Sequence, residues 1–392
     1  MTPTADVIII GGGVMGTSIA FHLASRKAGK VLLLEKSYLG AGSTGKSGAN
    51  IRQHYSHPLL VRMAQSGLRM FERFTDIVGG PPVFTRCGLV VLAPNSKRES
   101  LAANVAMQQR LGVNTSLVSS DELGTIDPQA ALEDDEVAAF ESEAGYCEAL
   151  QVVARFASAA CRLGAEIREN VAVDRIDLDR GRVTGVSTSQ GFISSRNVVM
   201  AAGPWSASVA QSAGVTLPVQ PCRTQVALVR RPTDFSGPHP TYADLVHQTY
   251  FRSIAGDITH LGNIDTREEQ AVVDPDDYNE VADREFVTEL RAKINRRYPS
   301  VRRGVGRGGF SALYSITPDW NPIIDRLPGV EGAFCAAGFS GHGFKLSPAV
   351  GELIAEMVID GSAQAFDIRQ LRATRFAEGD LFGPKSDYKV MG

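Results

Sequence analysis

Val7-Ile-Ile-Ile10 runs straight into three glycines, at 11, 12 and 13. A short, fully apolar, β-branched run of this kind reads as a strand buried on both faces of a parallel sheet. Val14, Ile19, Ala20 and Leu23 then recur at roughly helical spacing, and a second apolar strand, Val31 to Leu34, stops at Glu35. The first 35 residues therefore predict a βαβ unit. Gly11-x-Gly13-x-x-Gly16 falls in its first turn. There the first glycine permits the tight turn, the second admits a pyrophosphate to the backbone, and the third lets helix and strand pack closely. The helix start offers free N–H groups and a positive dipole end to phosphates. Glu35 is placed to accept hydrogen bonds from an adenosine ribose. With strand, helix and acid in register, the unit predicts a dinucleotide site, but it does not separate FAD from NAD.

The remaining residues indicate how such a unit is elaborated. At 392 residues the chain exceeds the usual single core, so two domains or one elaborated domain are expected. AGSTGKSG, from Ala41 to Gly48, is loop chemistry. Helices are predicted over Leu59–Phe74, Gln151–Leu163 and Ser347–Ile359. Strands are predicted over Val171–Ile176, Arg182–Thr188, Asn197–Ala202 and Gly332–Ala337. The segment from Pro221 to about Ser315 has a different texture, so the nucleotide domain is read as discontinuous, with a substrate domain inserted in pieces. A net charge of −3 gives no reason to expect nucleic acid. Five scattered cysteines without a C-x-x-C argue against a disulfide framework or zinc site and suit a reducing compartment. No secretory signal and no apolar run near the roughly 18 residues of a membrane span are present, so a soluble, cytoplasmic protein is expected. The histidines form no metal-ligand cluster.

Two later segments tilt the dinucleotide toward FAD. NVVMAAGPW, from Asn197 to Trp205, is a strand running into a glycine near the expected dinucleotide. GFSGHGFKLSPAVGEL, from Gly338, is a second glycine loop opening a helix, and that helix's dipole can stabilise negative charge on a reduced flavin. These segments, with GGGVMG, GSTGKSGANIR and YSITPDWNPIID, resemble the D-amino-acid-oxidase superfamily, in particular its sarcosine oxidase and glycine oxidase branch. The motifs fall in order over nearly the whole chain. The resemblance implies an α/β fold with a discontinuous Rossmann-like FAD-binding domain and an α+β substrate-binding domain built on a large mixed or antiparallel sheet. Residues 1–80, 147–220 and 321–392 are assigned to the first domain, and 81–146 and 221–320 to the second. It implies FAD contacts at Gly11, Gly13, Gly16, Glu35, Lys36, Ser43, Val173, Ala202, Gly203, Trp205, Gly338, Gly341, His342, Gly343 and Lys345. Monomeric sarcosine oxidases tether flavin through a cysteine at the position of Ala312, so non-covalent FAD is expected.

Oxidising an amino acid requires a cation for the carboxylate, an α-carbon over the flavin's reactive nitrogen, and an uncharged amine. Arg52 and Lys345 match the positions at which sarcosine oxidases hold the substrate carboxylate, one with bidentate geometry and the other with a point charge. Tyr314 matches a pocket tyrosine. His342 is expected to orient flavin or substrate, and Tyr55, Tyr250 and Phe251 are candidates for an aromatic wall. His260 aligns with a family lysine that assists reaction with oxygen; a histidinium would serve there better than a neutral imidazole. If Arg223, Arg252 or Arg307 reaches the pocket, a second carboxylate can be held. Iminodiacetate, split to glycine and glyoxylate, then leads the named substrates. The expected function is oxidation of a small anionic secondary amine with hydrogen peroxide formed from oxygen. The alternatives are an FAD-dependent amino-acid dehydrogenase serving another acceptor or a partner subunit, and an NAD-dependent dehydrogenase. Homo-oligomerisation is left open.

Overall fold

The structure is a computed structural model and describes residues 3–133, 135–235, 237–254, 257–264 and 271–383. At its centre β1 (Val7–Ile10) lies between Asn197–Met200 and β2 (Val31–Leu34), pairing in parallel with both. Glu166–Arg168 extends the sheet beyond β2, and Ala333–Ala337 extends it beyond Asn197–Met200. Ile323–Arg326 closes the edge in antiparallel, giving six strands. Every residue of β1 and β2 is buried, as their lack of any polar position requires. Helix α1 (Val14–Ser25) packs on one face with the helices Ala149–Arg162 and Ser347–Ile359. A three-stranded meander over residues 173–194 and the helix Ser206–Ser212 cover the other.

A second, eight-stranded sheet runs in the order Val305–Ile316, Gln220–Arg230, Ile258–Asn263, Thr249–Ile254, Thr241–Asp244, Leu89–Pro94, Glu136–Glu141, Thr115–Val118. All its pairings are antiparallel except that between Thr241–Asp244 and Leu89–Pro94, so the sheet is mixed. Because side chains alternate across a strand, its two faces carry different residues. Ala227, Val229, Phe251 and Leu261 point to the back, where the helix Arg284–Arg297 seals them with Phe286, Leu290 and Ile294. Thr224, Val226, Tyr250 and Ala312 share the opposite face and look into a cavity between the two sheets.

Element boundaries moved by up to three residues from expectation, the most at the strand Val173–Asp179. The first long helix begins at Pro58, where the His57 ring caps it by accepting the Leu59 N–H at 3.2 Å. It stops at Glu72, and a short helix follows over Phe74–Ile77.

Candidate active site

The two sheets enclose a cavity of about 840 Å³. At one end lies the glycine turn. Gly11 has φ +109°, and a Cβ there would sit 2.5 Å from the Ala201 carbonyl oxygen. A Cβ on Gly16 would lie 1.9 Å from the Gly11 oxygen, so α1 docks this closely only without a side chain. Gly13 caps α1 with no side chain, and the Thr44 hydroxyl accepts the Val14 N–H at 3.2 Å. Glu35 Oε2 accepts the Gly12 N–H at 2.7 Å and Oε1 the Ser37 N–H at 2.8 Å, which ties the second strand's end to the glycine turn. Ser43 donates to the Leu313 carbonyl at 2.6 Å, joining the Gly/Ser loop to the eight-stranded sheet. Gly11, Gly13, Glu35, Ser43, Val173, Ala202, Gly203 and Trp205 all line the cavity.

Lys36 lines it too, but its ammonium forms an ion pair with Asp276 and lies 3.8 Å from the centre of the Trp205 ring. The Trp205 indole N–H also donates to Asp276, at 3.0 Å. Lys46 donates to Glu280 at 2.8 Å and to the Tyr278 hydroxyl at 2.9 Å. The acidic loop near residue 276 thus closes over this end by ion pairs.

The other end carries the cations. Arg52 follows the two-residue strand Asn50–Ile51, which pairs with Gly145–Tyr146. Its guanidinium donates to the His54 carbonyl, and its Nη2 is buried without a hydrogen-bond partner. Lys345 sits in the single turn Phe344–Leu346 that leads into the helix Ser347–Ile359. Among the described residues its ammonium has one hydrogen bond, to the His342 carbonyl at 3.3 Å. Both side chains are almost fully buried, both line the cavity, and neither has a carboxylate partner among the described residues. Burial, and then the Arg52 charge, hold the Lys345 ammonium well below the ordinary lysine range, while Glu141 opposes that fall.

Tyr55 lies under both cations, with Arg52 at 4.6 Å and Lys345 at 5.7 Å from its ring centre. It serves as a buried platform rather than a cavity wall. The His342 Nε2 lies 2.9 Å from the Trp320 carbonyl, which can only accept, so the proton belongs on Nε2 and Nδ1 accepts the Tyr55 hydroxyl at 3.2 Å. Burial and the nearby Lys345 push His342 down to about 3, fixing it neutral. His342 stands behind the wall, as do Gly16 and Gly338, whereas Gly341, Gly343 and Tyr314 line it. A Cβ on Gly341 would fall 2.7 Å from the Tyr314 ring, so the late glycine loop is shaped by this tyrosine.

Sequence reasoning missed Glu141. It ends the strand Glu136–Glu141 fully buried and accepts the Gln53 backbone N–H at 2.8 Å and its side-chain amide at 3.2 Å. Its Oε2 is buried without a hydrogen-bond partner. Burial pushes it up to about 7, against the pull of Gln53 and Arg52. A glutamate at the end of a short strand gives no signal until the fold brings it beside Gln53.

Three expectations require correction. His260 does not line the cavity and carries no charge there, because burial and then Arg252 push its imidazole down to about 3. Its ring lies behind Gly48. Among the described residues no additional arginine reaches the cavity: Arg223 pairs with Asp283, Arg252 stacks on Tyr146 at 4.5 Å, and Arg307 is exposed on the sheet's edge strand. The second-carboxylate argument for iminodiacetate therefore loses its support. Phe251 points to the back face and stacks on Tyr242, with ring centres 4.6 Å apart.

Residues 6–357 match the family described as FAD dependent oxidoreductase. The chain belongs to this family. A 4-methylaminobutanoate oxidase (formaldehyde-forming) from Paenarthrobacter nicotinovorans is 29% identical over 378 residues, covering 94% of this chain but 45% of that enzyme. The chain thus spans about half the length of this relative. Monomeric sarcosine oxidase from Streptomyces avermitilis is 28% identical, covering 95% of this chain and 99% of the enzyme. Among solved structures, L-proline dehydrogenase from P. horikoshii superposes with a TM-score of 0.90 at 25% identity, covering 97% of this chain and 100% of that one. Family membership makes the cofactor FAD rather than NAD. The residues present fit that group. The side-chain-free glycine turn gives a pyrophosphate room at the start of α1, and the cavity continues from there to the buried cations.

Proposed function

We propose that the chain oxidises a secondary amine bearing one carboxylate, an N-substituted glycine or a close relative, to an imine. Water then cleaves the imine to an amine or amino acid and an aldehyde such as glyoxylate. The observation carrying this reading is the pair Arg52 and Lys345, two buried cavity-lining cations without a carboxylate partner among the described residues. Bound FAD supplies the hydride acceptor.

Arg52 and Lys345 would hold the carboxylate, which fixes the position of the α-carbon. Holding the reacting carbon in place is worth about 7–11 kcal/mol of barrier at the upper end of well-oriented systems. Tyr55 braces both cations, and neutral His342 ties that tyrosine to the Trp320 turn. The amine must bind or become neutral before its neighbouring C–H gives up hydride. No cysteine or histidine lines the cavity among the described residues, which supports non-covalent FAD.

Neutral, recessed His260 favours a second reading for the electron's destination, a dehydrogenase serving an acceptor other than oxygen. One experiment tests both. Purified holoenzyme is mixed anaerobically with N-methylglycine and related amines, and then opened to air. Bleaching of the flavin supports the reaction; rapid recolouring with peroxide marks an oxidase. Recolouring only on adding a dye marks a dehydrogenase, and a flavin that no amine bleaches overturns the proposal.

A further inference from the structure

The sheet face above the cavity contains a pair whose geometry bears on the rest of the substrate. Tyr250 and Gly262 stand directly opposite each other on the strands Thr249–Ile254 and Ile258–Asn263. A Cβ on Gly262 would fall 2.2 Å from Tyr250 Cζ and 2.3 Å from its hydroxyl oxygen. The tyrosine ring therefore does not stand up from its own strand but lies across the neighbouring one, in space that only glycine leaves empty. Tyr250 lines the cavity in this folded-down pose. Around it the lining includes Leu89, Val226, Ala243 and Ala312, with Thr224, Thr241 and Asn263 as uncharged polar members.

The distribution of charge agrees. Of the lysines and arginines lining the cavity, Lys36 is paired with Asp276 and Lys46 with Glu280. Arg52 and Lys345 are left, and one carboxylate uses both. A further cation on this sheet face, Arg252, donates to the Ser253 carbonyl at 2.9 Å and stacks on Tyr146 at 4.5 Å, away from the lining. Among the described residues a second carboxylate on this face would meet only uncharged side chains and no cation to pair it, a costly burial.

We infer that this roof is a neutral pocket for the amine substituent, walled by Tyr250 folded onto Gly262, and that the substrate is a monocarboxylic amine whose N-substituent is uncharged and apolar. The inference rests on the proposed reaction and adds the class of substituent and the residues that select it. Adding a methyl at Gly262 lifts the Tyr250 ring into the cavity and shortens the pocket; truncating Tyr250 lengthens it.

The test is anaerobic stopped-flow reduction of the FAD-loaded protein by N-methyl-, N-ethyl- and N-benzylglycine and by iminodiacetate. The apolar N-substituted glycines should reduce the flavin at least about tenfold more efficiently than iminodiacetate, the range over which pocket contacts discriminate substrates. Gly262→Ala should lower the ratio of N-benzyl- to N-methylglycine efficiency by about tenfold, and Tyr250→Ala should raise it. Either variant alone reports on the pocket if the other fails to fold. Iminodiacetate matching N-ethylglycine, or variants that change all substrates by one common factor, would overturn the inference while leaving the reaction standing. Failure of every amine to reduce the flavin overturns the reaction and the inference together.

Discussion

At the scale of single residues, the site places charges where water cannot screen them. If Arg52 holds the substrate carboxylate as proposed, removing it deletes that planar partner without touching the glycine turn. Arg52→Ala should therefore keep FAD bound but weaken substrate by roughly 10- to 100-fold, the worth of a charge-assisted bond. Unchanged apparent affinity in a steady-state titration would remove Arg52 from the clamp. Lys345 binds an anion only while protonated, and burial beside Arg52 lowers its affinity for the proton. Binding of propionate, a carboxylate with no amine to titrate, should thus weaken as pH rises, and at lower pH than an ordinary lysine would dictate. Lys345→Met should abolish that step in a spectral titration of the flavin. Glu141 acts on stability instead. Its folded value of about 7 exceeds its ordinary 4.5, so its contribution is fully present below about 4.5 and is lost as pH rises through about 7. Wild type should lose on the order of 3 kcal/mol relative to Glu141→Gln across that window, read as a narrowing gap in Tm. A pH-independent gap would mean that the carboxyl is not titrating there.

At the scale of elements, the proposed clamp depends on how closely two helices meet. Gly67, in the helix Pro58–Glu72, faces the Lys345 backbone, and a Cβ there would lie 2.1 Å from the Lys345 carbonyl oxygen. Gly67→Ala must push the Phe344–Leu346 turn, and the ammonium it carries, out of place. It should cost about 1–3 kcal/mol of stability through overpacking. Substrate affinity should fall with it, although residue 67 lies outside the cavity lining. A loss of Tm with no loss of affinity would show that Lys345 tolerates the shift. The Trp320 turn is fixed in a similar way. Buried Asp319 accepts Arg375 through both oxygens, at 2.8 and 2.9 Å, so the chain's last described segment holds a wall of the cavity. The motif TPDWNP marked this turn in the sequence, but nothing near it named Arg375 as the partner 56 residues on.

For the whole molecule, the cavity exists only where the two sheets face each other, and the proposed non-covalent hold on FAD is a property of the whole lining. Denaturing the purified protein in acid should release all of the yellow colour into the supernatant, and added FAD should raise the Tm of the apoprotein by mass action. Colour remaining with the precipitate would show a tether. No described helix is long and apolar enough to cross a membrane.

Much of this architecture was legible in local patterns. The strands Val7–Ile10 and Val31–Leu34 and the helix Ser347–Ile359 lie where their apolar runs and flanking glycines put them, because strand burial, helix starts and tight turns are decided within a few residues. Motif order also carried the family and its FAD. Other features depended on distances that no local pattern encodes. Glu141 meets Gln53 across 88 residues, Tyr250 lies down because Gly262 faces it on another strand, and Arg252 turns to Tyr146 rather than into the cavity. Whether a charge is buried, paired or left open depends on which strands become neighbours, so the sequence determined the scaffold and the tertiary packing decided the electrostatics.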